Sequence, residues 1–116
     1  MKASDRFFVE GVICSVRDRD LRVANLSVGG FFVATDHPPP LAEILDVDLT
    51  LGERAPFRFT GKVSWVNNVA EPKSDELPNG FGIKILKIAF PDKLAIVDHL
   101  KRIVHHEDGA RGSQAR

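Results

Sequence analysis

The 116 residues suit one domain with a core of its own, and a content of 43% hydrophobic and 28% charged residues excludes wholesale disorder. Sixteen basic and sixteen acidic residues cancel, so the chain lacks the positive field a nucleic-acid polymer binder needs, although a local anion site stays open. The single cysteine, Cys14, excludes an intrachain disulfide, and no run of about 18 uncharged apolar residues supplies a membrane-spanning helix. With no secretory leader legible in the charged start, the expectation is a cytoplasmic protein without membrane insertion.

Residues 1–6 are polar and read as a pliable lead-in. Phe7 to Val16 is rich in Phe, Val and Ile and predicts a strand; Arg17-Asp18-Arg19-Asp20 is a charged turn, and Leu21 to Leu26 returns as the second arm of a hairpin. Ser27, Gly29 and Gly30 then bend the chain before a short strand, Phe31 to Thr35. Pro38-Pro39-Pro40 cannot donate to a ladder and forms a loop. Leu45 to Leu51 alternates strictly, with Leu45, Val47, Leu49 and Leu51 on one face. Phe57 to Val66 alternates again, placing Phe57, Phe59, Gly61, Val63 and Trp65 on one face, where Trp65 is expected to pack in the core. Asn67 to Asn79 is a polar loop, and Gly80 to Ile88 is the last strand.

Pro91 and Asp92 suit a first helical turn, and Ile96, Val97, Leu100, Ile103 and Val104 make an apolar stripe at helical spacing. The expected architecture is all-β with one C-terminal helix: a six-stranded antiparallel β-barrel domain over residues 1–106 and a disordered tail over 107–116.

Three segments carry a resemblance. Asn25-Leu26-Ser27-Val28-Gly29-Gly30 fits an [Asp/Asn]-x-Ser-x-x-Gly motif, Gly61-Lys62-Val63-Ser64-Trp65-Val66 a Gly-x-Val-x-Trp-Val strand, and Gly80-Phe81-Gly82-Ile83-Lys84-Ile85 a Gly-x-Gly strand with a basic residue between hydrophobic ones. In this order, with a terminal helix after them, they resemble the PilZ domain family across roughly residues 2–105. The resemblance implies a split β-barrel and a non-enzymatic receptor for cyclic di-GMP that changes a protein-interaction surface on binding. The implied partner is a protein in motility, pilus or exopolysaccharide control. It implies ligand contacts from Asn25, Ser27 and Gly30 on the barrel and from an Arg-x-x-x-Arg lead-in, matched here by Lys2-Ala3-Ser4-Asp5-Arg6 with lysine in the first place.

These residue types suit that ligand. A guanidinium fork meets the O6/N7 edge of guanine bidentately and stacks on a base. Asn25 and Ser27, two apart on a strand, point the same way with an amide and a hydroxyl. Lys2 keeps a charge for phosphate but has no planar fork. Two further readings stand beside this one: a PilZ-like adaptor that binds protein without nucleotide, and a barrel that binds single-stranded nucleic acid, which would need a basic groove with aromatic platforms. Asn25 and Ser27 also fit a purely local turn. His37, His99, His105 and His106 lack metal-ligand spacing, and Ser27 has no legible catalytic partners, so neither a metal, a cofactor nor a catalytic residue is expected.

Overall fold

The computed structural model describes residues 5–68 and 77–115, with side chains as far as Val104. Seven strands and one helix follow in chain order: β1 (Phe7–Phe8), β2 (Val12–Val16), β3 (Arg19–Leu26), β4 (Gly30–Ala34), β5 (Ile44–Leu51), β6 (Phe57–Asn67), β7 (Gly80–Lys87) and α1 (Phe90–Ala115). Neighbours run β1-β3-β2-β5-β6-β7-β4, and β4 pairs back onto β3. Six strands thus close into an antiparallel barrel without free edges, and β1 adds a two-residue strip beside β3.

The first strand differs from the sequence expectation. Gly11, at φ 70°, breaks the Phe7–Val16 run into β1 and β2, because the left-handed backbone there interrupts the ladder; both pieces pair with β3, and β2 pairs with β5 as well. The turn after β2 is tighter than four residues. Arg17 and Asp18, at φ 51° and 64°, form a two-residue hairpin loop of the kind whose twist matches the flanking strands, and Val16 already pairs with Arg19.

The barrel interior is filled by inward residues of alternating strands, among them Val12, Cys14, Phe31, Val47, Leu49, Val63 and Phe81, all without solvent exposure. Phe31 and Phe59 meet edge to face at 5.8 Å. From α1, Ile96 and Leu100 are fully buried in the same core, with Ile103 packed against it. His99, on the same helix, is depressed below its ordinary pKa by burial first and then by the Arg102 and Arg54 guanidinium groups. Helical backbone continues to Ala115, through the stretch 107–115 that the sequence reading gives to a tail.

Burial, with a smaller contribution from Asp48, pushes the Cys14 thiol up to about 12. A thiol this reluctant to ionise is a packed core group, not a nucleophile. The unfolded chain releases this proton near pH 9, whereas the folded chain holds it, so the contribution is constant below about pH 9 and stability falls above it, by about 1.4 kcal/mol per pH unit toward pH 12. Urea melts of wild type and Cys14→Ala at pH 7 and pH 10 are expected to show a steeper alkaline loss in wild type; parallel losses would refute it.

Candidate ligand-binding site

The outer wall of the barrel is organised by strand register. Phe8 lies opposite Asn25, Asn25 opposite Phe32, Phe32 opposite Gly82, and Gly82 opposite Trp65, so residues of β1, β3, β4, β7 and β6 form one lateral row. A bulge at Ala24 sets Asn25 into this row, since Val23 pairs with Val33 and Asn25 with the next residue, Phe32. Two residues along the strands lies a second outward row, in which Gly30 faces Lys84 and Lys84 faces Lys62. The three motif segments of the sequence therefore meet on one patch of wall.

Trp65 joins that patch instead of the core, a correction to the period-2 expectation. The register slips between Val63 and Trp65, so Val63 points inward, Trp65 points outward, and Val66 returns to the core. The indole lies over Gly82, where a Cβ would collide with it, and its ring centroid is 5.1 Å from that of Phe32. Phe32 is an outward residue and still wholly buried, because Trp65 covers it. Asn67, at the end of β6, donates from Nδ2 to the carbonyls of Leu77 (3.2 Å) and Pro78 (3.0 Å) and ties down the chain entering β7.

The lead-in reaches this patch. β1 pairs Phe7 with Leu26 and Phe8 with Asn25, which carries the preceding residue alongside the motif. Arg6 Nη1 donates to Asn25 Oδ1 at 3.3 Å. The guanidinium side chain is exposed and Asn25 is buried. Asn25 thus anchors one face of Arg6 while the rest of the fork is open to solvent. Lys2 lies outside the described residues.

Ser27 is spent largely on the turn. Its Oγ donates to the Gly30 carbonyl at 2.9 Å and accepts from the Gly30 N–H at 3.1 Å, and its own N–H donates to the same carbonyl at 2.8 Å. The local-turn reading fits this hydroxyl, which keeps one acceptor lone pair for a ligand donor. Ser27→Ala leaves the buried Gly30 N–H without that partner, and a loss of about 1–3 kcal/mol is expected in a urea melt.

Gly30 has a packing reason beside the one expected from ligand approach. A Cβ there would collide with the Ile83 carbonyl oxygen and lie 3.4 Å from Lys84 Cα. The structure brings Arg6 to Asn25 and Ser27 to Gly30, four of the five residues that the resemblance implies as ligand contacts. Sequence reasoning missed Phe32, Trp65, Gly82 and the lysines of the second row. For the two aromatic rings the signal was the small-residue positions of Gly80-Phe81-Gly82, which mark where a neighbouring ring needs room.

Among the described residues, no group of three or more His, Cys, Asp or Glu side chains is arranged to hold a metal ion, and no helix is long and apolar enough to cross a membrane. The ledge offers hydrogen-bonding groups beside the exposed Arg6 guanidinium, with exposed Lys84 and Lys62 in the adjoining row, groups that suit an anionic, hydrogen-bonding ligand. A protein-family model described as PilZ domain matches residues 4–104. No curated protein matches the chain.

Proposed function

The chain belongs to the PilZ domain family, a family of cyclic di-GMP receptor domains, and on that premise we propose that it binds cyclic di-GMP on the Asn25–Gly30 ledge in the cytoplasm. The observation that supports this reading best is the Arg6–Asn25 contact, which links the lead-in to the ledge in the ligand-free chain. A fork held on one side by a buried amide is preorganised for the O6/N7 edge of a guanine or for stacking on it. Lys2 supplies a second cation for a phosphate, and closure of the lead-in over the ligand alters the surface offered to a protein partner in motility, pilus or exopolysaccharide control. Such a shift requires that the ligand prefer the closed state.

Calorimetric titration with cyclic di-GMP tests the reading. A saturable heat is expected; no heat at millimolar ligand sinks it. Lysine in the first place of the lead-in motif favours a second reading, an adaptor that meets its partner without nucleotide. Lys2→Arg separates the two. A sensor binds as wild type and binds more tightly in the variant, by roughly fivefold or more, whereas a chain that binds only as the variant is an adaptor.

A further inference from the structure

The second row of the outer wall carries an arrangement that the fold itself does not favour. Lys62 of β6 and Lys84 of β7 stand directly opposite each other, and both are exposed. Like charges facing across a strand pair are destabilising. Two cations elsewhere on the barrel are ion-paired: Arg58 forms a two-pronged pair with Asp48, with both contacts at 3.0 Å, and Arg17 pairs with Glu43. Asp46, the acid diagonal to Lys62 on β5, acts on Arg58. Among the described residues neither lysine has a carboxylate within ion-pairing distance.

The position of this pair is specific. Lys84 is the register partner of Gly30, so it borders the ledge on the side away from Arg6. Between them, Gly30 contributes no side chain and Gly82 is roofed only by the flat indole of Trp65. The result is a shallow trough with Arg6 on one wall and two lysines on the other. From β3 to β7 is two strand spacings, roughly 10 Å, which a long lysine stem can reach across from its side.

We infer that Lys84 and Lys62 form a second anion-holding wall of the trough and take a phosphate of the bound dinucleotide, opposite the guanidinium of Arg6. The inference rests on the receptor reading and goes beyond it by assigning a phosphate subsite to two residues outside the lead-in and the Asn25–Gly30 segment. It also accounts for the unneutralised pair, since a bound phosphate relieves the repulsion that the free chain carries.

Calorimetry with cyclic di-GMP on wild type, Arg6→Ala, Lys84→Arg and the double variant Lys62→Gln/Lys84→Gln tests it, with melting curves for each. The double variant is expected to bind on the order of tenfold more weakly, with a shallower dependence on salt, and to melt at or above the wild-type temperature because the opposed charges are gone. Lys84→Arg keeps the charge and is expected to keep the affinity. Wild-type affinity in the double variant, alongside loss in Arg6→Ala, overturns the phosphate wall and leaves the receptor reading standing. Absence of saturable binding to the wild type removes the receptor reading and the inference together.

Discussion

Arg6→Ala is expected to weaken cyclic di-GMP binding by roughly 10- to 100-fold, with no measurable change in melting temperature. The two halves of this expectation come from different facts. Arg6 is exposed and touches the barrel through one hydrogen bond, 3.3 Å long, so the folded state loses little when the side chain goes. The ligand loses a charge-assisted partner held in place by a buried amide, and such contacts are the strong ones. Arg6→Lys is expected to recover only part of the loss, since an ammonium cannot reproduce the planar fork. Calorimetry for affinity and circular dichroism for melting check both halves. A variant that binds as tightly as wild type removes Arg6 from the site.

The largest expected effect on stability belongs to Gly30→Ala. The added methyl would meet the Ile83 carbonyl oxygen, a backbone atom within the β4–β7 ladder that cannot rotate away. Relief requires β4 and β7 to separate just where the Ser27 clasp holds the turn. A loss of about 3 kcal/mol is expected, a large part of the roughly 5–15 kcal/mol that holds a domain folded. Gly29→Ala is the internal control. A Cβ at Gly29 meets nothing within 4 Å, and its backbone is not left-handed, so a change within about 0.5 kcal/mol is expected. Urea melts of the two variants settle the matter: equal stability would show that close packing is not what keeps residue 30 small.

Gly30 also shows how far a sequence can be read. The motif marks the residue as special, and ligand approach and strand packing both require a missing side chain. Only the register of β4 against β7 reveals the packing reason. The barrel itself was legible because Leu45–Leu51 and the run from Phe57 alternate with period two, and closure follows from many short strands. The split of Phe7–Val16 was not, since the left-handed backbone at Gly11 has no neighbouring turn signal. Trp65 was misplaced for a related reason: period-two reading assumes an uninterrupted strand, and the slip after Val63 inverts every later side chain. Ser27 stayed divided between turn and ligand because both uses need the same hydroxyl in the same segment. The lysine pair was invisible because Lys62 and Lys84 are far apart in the chain and become neighbours only through β6–β7 pairing.

The most direct test of the account is an amide-resolved NMR titration of the labelled chain with cyclic di-GMP. The largest shifts are expected along residues 5–8, 25–30 and at Lys84, with little change in the cleft lined by Arg17, His37 and Pro38. Shifts confined to that cleft, or none at millimolar ligand, would contradict a receptor site on the Asn25–Gly30 ledge.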